Sequence, residues 1–104
     1  MSSKRKLDGK WMMSGSVLTK DKQRRYSYPV EFVLTEEDHY SGYFSDGWLD
    51  VRLIEKELLI CQHLDGDQMN ICHATYHSML QHYSGIWMRN DGSVHGVFTM
   101  KRIT

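Results

Sequence analysis

The chain predicts an all-β fold, an eight-stranded antiparallel up-and-down β-barrel, and two observations carry that prediction. Seven clusters of turn-forming residues punctuate its 104 residues at nearly even spacing. They are Lys20, Asp21 and Lys22; Glu36, Glu37 and Asp38; Ser45, Asp46 and Gly47; Glu55, Lys56 and Glu57; Asp65, Gly66 and Asp67; His77 and Ser78; and Asn90, Asp91 and Gly92. Between them, most stretches alternate apolar with polar residues, the period of a strand that buries one face. No helix of ordinary length competes: residues 53–59 have helical spacing, but a charged turn interrupts them. Consecutive hairpins close into an up-and-down barrel, which removes the exposed sheet edges. A β-sandwich is the alternative.

The first strand, residues 10–19, places Trp11, Met13, Gly15 and Val17 on one face and Met12, Ser14, Ser16 and Leu18 on the other. In the second, residues 26–34, Tyr26, Tyr28, Val30, Phe32 and Leu34 point inward and alternate with Ser27, Pro29, Glu31 and Val33. Pro29 cannot donate to a sheet ladder, so it marks an edge or bulge and predicts a dent in the barrel there. Residues 39–45, 48–54 and 58–64 follow, joined by short acidic or glycine-containing turns that suit hairpins. Leu49, Val51 and Leu53 oppose Asp50 and Arg52, again an inside and an outside. The fifth strand and the sixth, residues 68–76, alternate poorly and leave their inner faces unassigned. The seventh, residues 80–89, and the eighth, 94–103, flank Asn90, Asp91 and Gly92, a strong hairpin signal. Gly96, Phe98 and Met100 share one face of the last strand. His39-Tyr40-Ser41-Gly42 recurs as His82-Tyr83-Ser84-Gly85 and predicts two equivalent hairpins.

This length supports one core. Residues 1–8 read as a basic, flexible N-terminal tail and 9–104 as a single barrel domain. Thirteen basic and 13 acidic residues cancel, so no overall field recommends a polyanionic partner. Residues 1–25 nevertheless hold eight basic against two acidic residues, a net +6, and the remainder carries the compensating −6. No apolar run approaches the roughly 18 to 20 residues that span a bilayer, and the N-terminus lacks the apolar segment of a secretory signal. The expectation is a soluble, cytoplasmic chain with no membrane partner. Cys61 and Cys72 fall on neighbouring strands and reach a disulfide only if they pair in register; a reducing compartment favours free thiols.

Gly9-Lys10-Trp11 opens the first strand and Lys101-Arg102 closes the last. The arrangement resembles that of the calycins, which include lipocalins, fatty-acid-binding proteins, avidins and some small bacterial protease inhibitors. In them a Gly-x-Trp on the first strand packs beneath a basic residue on the last. The resemblance implies Trp11 as the plug of the barrel floor and Arg102 or Lys101 as its cover. A cation on an aromatic face contributes roughly 0.5 to 2 kcal/mol, depending on burial. The resemblance covers the two ends of the chain only; the loop motifs of lipocalins and the biotin contacts of avidins have no recognisable counterpart.

The inward aromatic set is Tyr26, Tyr28, Phe32, Tyr40, Phe44, Tyr83, Trp87 and Phe98, with Trp11, Met13 and Met100 beside it. Eight strands enclose either packed side chains or room for one small ligand, and both readings stand. Four inward tyrosines each need a hydrogen-bond partner when buried, and a small amphipathic or aromatic ligand would supply one. The first functional expectation is therefore a non-enzymatic barrel that binds such a ligand inside. The alternative is a protein-interaction or inhibitor module, a packed barrel used as scaffold, with Arg24, Arg25, Tyr43 and Trp48 as the contact residues. Lys4, Arg5 and Lys6, the 20–25 hairpin tip, Tyr26 and Tyr28 are residue types that also suit nucleic acid, but the neutral balance argues against that partner. Cys61, His63, Cys72, His73, His77 and His82 lack the paired Cys-x-x-Cys units of zinc sites, so no metal is expected. No nucleophile elbow, phosphate loop or His-Glu-x-x-His is present, and neither an enzyme nor a cofactor is expected. The oligomeric state is not readable from these features.

Overall fold

The computed structural model describes residues 7–18, 23–44, 47–64 and 66–103. Its strands are β1 (Gly9–Leu18), β2 (Gln23–Glu36), β3 (His39–Phe44), β4 (Gly47–Ile54), β5 (Glu57–His63), β6 (Met69–His77), β7 (His82–Arg89) and β8 (His95–Arg102). Each pairs with the next, and β8 pairs antiparallel with β1, so the sheet closes as a barrel in sequence order. Closure rules out the sandwich. Of the expected turns, Lys20, Asp21, Lys22, Ser45, Asp46 and Asp65 lie outside the described residues, as do Lys4, Arg5 and Lys6 of the expected tail. Leu7, assigned to that tail from sequence, is fully buried and packs into the core.

Six strands fall within one residue of their sequence-based bounds among the described residues, and two, β2 and β7, differ by more. β2 extends to 14 residues because the β1–β2 ladder continues through Leu18 and Gln23. β7 starts at His82: the preceding residues turn, with the Gln81 amide donating to the His77 carbonyl at 2.8 Å. Met79 and Leu80 are left outside, exposed to solvent. Pro29 pairs with Met12 in β1, whereas the β2–β3 ladder begins, among the described residues, at Glu31 and Tyr43. The missing amide therefore sits beyond that ladder.

The inner phase of β1 to β4 and of β8 follows the alternation. Leu34 is the exception: it pairs with Tyr40 but stands half-exposed at the strand end, where the register shifts between Leu34 and Glu36. β5 turns Leu58, Ile60 and Gln62 inward, and β6 turns Asn70, Cys72 and Ala74 inward. Both outer faces carry apolar residues as well, Leu59 and Ile71, which hides the period. Small inward residues on β6 and β8 make room for a large one. Trp87 pairs with Cys72 on one side and Gly96 on the other, and a Cβ at Gly96 would stand 2.6 Å from the indole Nε1. Each well-buried large apolar side chain contributes about 1.5 to 3 kcal/mol. The deepest ones, Phe32, Met13, Leu49, Leu58 and Met100 among them, fill the barrel with protein atoms at that level.

Candidate functional site

The register separates the expected aromatic set into two groups. Phe32, Tyr40, Tyr83 and Phe98 are all buried. Tyr40 Oη accepts the Leu7 amide at 3.3 Å, and Tyr83 packs edge-on against Trp11 and Tyr76, with centroids 5.7 and 5.1 Å apart. At the same end the Trp11 indole donates to the Leu7 carbonyl at 2.8 Å. The Arg102 guanidinium carbon lies 4.4 Å from the Trp11 ring centroid, and its Nη1 donates to the Asp8 carbonyl at 2.7 Å. This is a closed floor made of Leu7, Trp11, Tyr40, Tyr83 and Arg102. Lys101 pairs with Met12 instead and points outward with it.

The second group, Tyr26, Tyr28, Phe44 and Trp87, stands at the opposite end, the mouth. Tyr26 stacks on Tyr28 at 5.7 Å, Tyr28 meets Phe44 at 5.2 Å, and Tyr26 meets Trp87 edge-on at 6.4 Å. Tyr26, Tyr28 and Phe44 are partly buried and pack on the core from above. Burial raises the pKa of the Tyr26 hydroxyl above the ordinary phenol value, and the neighbouring Tyr28 adds to the effect. Tyr26 thus keeps its proton at neutral pH.

Against these rings runs a polar ladder across β7, β6 and β5 to β2. Arg89 Nε donates to Asn70 Oδ1 at 2.7 Å, Asn70 Nδ2 to Gln62 Oε1 at 3.0 Å, and Gln62 Nε2 to Tyr28 Oη at 2.9 Å. Every bond points the same way, from the guanidinium toward the phenol. Gln62 and Asn70 are each only 7% exposed, so their amides are committed to this chain of contacts. Sequence reasoning missed Gln62, Asn70 and Arg89, since polar residues suggest an outer face. Their phase is the signal that identifies them: Gln62 lies in step with Leu58 and Ile60, and Arg89 with Tyr83 and Trp87.

The alternative contact residues fall in two places. Tyr43 and Trp48 pair across β3 and β4 on the outer wall, and Trp48 stacks on His63 with centroids 3.9 Å apart. Arg24 and Arg25 are exposed near the start of β2, about 20 Å along the strand from Glu31, the partner of Tyr43. The structure does not join them into one patch.

The histidine and cysteine segment does not converge. Cys61 pairs with Ile71 and Cys72 with Ile60, so the two cysteines are one position out of register, face opposite ways and remain free thiols. Burial, with a smaller contribution from Cys61, pushes the Cys72 thiol up to about 12. His73 Nε2 lies 2.9 Å from Glu57, which also accepts the Thr75 hydroxyl at 2.8 Å, and these bonds hold the Glu57 carboxyl below the usual range. Among the described residues no three His, Cys, Asp or Glu side chains come together as a metal would require. No protein-family model matches the chain, and comparison with curated proteins finds no match.

Proposed function

We propose that this is a non-enzymatic, calycin-like small barrel whose mouth binds a small amphipathic ligand with an aromatic body and an acceptor or anionic head. The observation that carries the reading is the one-way ladder from Arg89 through Asn70 and Gln62 to Tyr28. A guanidinium presents five N–H donors, of which this ladder engages one. It places a positive charge at the end of the barrel opposite the floor, where Tyr26, Tyr28 and Phe44 are only partly buried. Rings grip an aromatic body while a few placed polar groups fix its orientation. Amides, phenols and a guanidinium are neither strong nucleophiles nor bases at neutral pH, so the mouth is suited to holding a molecule rather than transforming it. Two free thiols favour a reducing compartment, the cytoplasm.

Native mass spectrometry of the protein purified from a cell extract, compared with its denatured mass, tests this. A noncovalent excess smaller than a subunit, lost in Arg89→Gln, supports the mouth as its site. A bare chain that captures no small molecule counts against it.

A second reading rests on the outward Tyr43–Trp48–His63 strip. Aromatic residues are enriched at protein interfaces, so the strip favours a protein partner that uses the barrel as scaffold. Trp48→Ala would then abolish partner capture while Tyr28→Phe leaves it intact.

A further inference from the structure

A concavity lies on the outer wall, and of the mouth residues only Tyr26 belongs to its lining. It is a groove of about 840 Å³ that crosses β2, β1, β8 and β7. Two glycines belong to that lining. Gly15 and Gly85 flank Phe98 in one inward-facing row across β1, β8 and β7. A Cβ at Gly15 would run into the Val97 carbonyl, and one at Gly85 into the His73 carbonyl. Carbonyls of neighbouring strands thus occupy the space that side chains would take, and the strands approach closely beneath the groove.

The floor of that concavity is a row of hydroxyls. Ser27 pairs with Ser14, Ser14 with Thr99, and Thr99 with Ser84, all on the outer face. Neighbouring strands lie about 4.8 Å apart, so the four hydroxyls cover about 14 Å at regular intervals. Ser14 and Ser27 share a hydrogen bond of 3.1 Å, and Ser84 Oγ lies 2.7 Å from His77 Nε2. Each hydroxyl has one proton and two lone pairs, so one such bond leaves capacity for another. A separate observation points to a ligand. Ser16 lines the groove and is 5% exposed, yet among the described residues its Oγ has no hydrogen-bond partner. A buried polar group without a partner is uncommon, and a ligand that displaces the atoms covering this hydroxyl would supply the partner it lacks.

We propose that this groove binds a short glycan segment laid across the strands. Hydroxyls that both donate and accept match the sugar hydroxyls, and Ile86 and Val97 offer aliphatic surface to the C–H face of a sugar ring. Arg25, opposite Ser16 in the ladder, is the single charged residue of the described lining. One cation without an outward aromatic platform is too little for a nucleic-acid backbone. An extended peptide is disfavoured too, because a closed barrel has no free edge to which a strand can add.

The test is a titration of the isotope-labelled full chain with cellotetraose, chitotetraose and maltotetraose, followed by amide NMR shifts. The expected result is saturable shifts at Ser14, Ser16, Ser27, Ser84 and Thr99 with at least one of the three. Thr99→Val, which keeps the volume, and Ser16→Ala, which removes only the unpartnered hydroxyl, each weaken that binding about fivefold. Any of four results overturns the proposal: no shifts at millimolar sugar, shifts confined to the mouth, full affinity in both variants, or equal shifts with a tetrapeptide or an oligonucleotide.

Discussion

Cys72 and Cys61 show how one register position decides chemistry. The thiolate is the reactive form of cysteine, and burial holds the Cys72 thiol protonated up to about pH 12. Iodoacetamide is expected to label Cys61 in the folded protein and Cys72 only after unfolding; equal labelling in the folded state would contradict the inward placement. The same burial has a pH signature. A Cys72 pKa raised from 9.0 to about 12 on folding means that its stabilising contribution is complete below pH 9 and is lost between there and about 12. Tyr26, raised above 10.0, adds a loss of the same sign that begins higher. Urea midpoints are therefore expected to fall from pH 9 upward, and Cys72→Ser should remove the earlier part of that fall. At this scale the sequence was partly legible. The contact of Trp11 with a basic residue of the last strand, Arg102 or Lys101, is what the calycin resemblance implies, and the structure makes that residue Arg102. Gln62, Asn70 and Arg89 were not legible, because a polar residue inside a barrel looks like one outside it until its neighbours fix the phase.

Glycines govern the strands of this barrel, and two of them separate steric from conformational demands. Gly85 lies in β7 against the His73 carbonyl, whereas Gly92 has a positive φ of 77° and open space around it. Gly85→Ala forces backbone apart and is expected to cost about 1 to 3 kcal/mol. Gly92→Ala meets only left-handed strain, about 1 to 2 kcal/mol. Urea denaturation of both reads the difference, and Gly85→Ala should also disturb amides on β6 and β8, which Gly92→Ala should leave unchanged. The alternation of β1 to β4, Leu34 excepted, was legible because one face is buried and the other wet, and turns on described residues, such as Glu37 and Asp38, Glu55 and Lys56, and Asn90 and Asp91, were legible too. β5 and β6 were not, since Leu59 and Ile71 stand outside while Gln62 and Asn70 stand inside. The extra turn before His82 was missed because Leu80 is apolar, yet it faces solvent.

For the molecule as a whole, closure places the two His-Tyr-Ser-Gly segments at the starts of β3 and β7, four strands apart on opposite sides of the barrel. Both send a tyrosine, Tyr40 or Tyr83, into the floor. Leu7, Trp11 and Arg102 complete that floor, so Arg102→Ala is expected to lower stability by about 1 kcal/mol through loss of the Trp11 contact and the bond to Asp8. A urea midpoint shift at unchanged slope would show it. With one end sealed, the mouth carries the central functional claim. The most direct test is a fluorescence titration with 8-anilinonaphthalene-1-sulfonate, an aromatic anion, on the wild-type chain, Arg89→Gln, Tyr28→Phe and Trp48→Ala. The expected result is one saturable site, weakened about tenfold or more in Arg89→Gln, weakened in Tyr28→Phe and unchanged in Trp48→Ala. Absence of saturable binding, or equal affinity in wild type, Arg89→Gln and Tyr28→Phe with the fold intact, would contradict the assignment of the mouth.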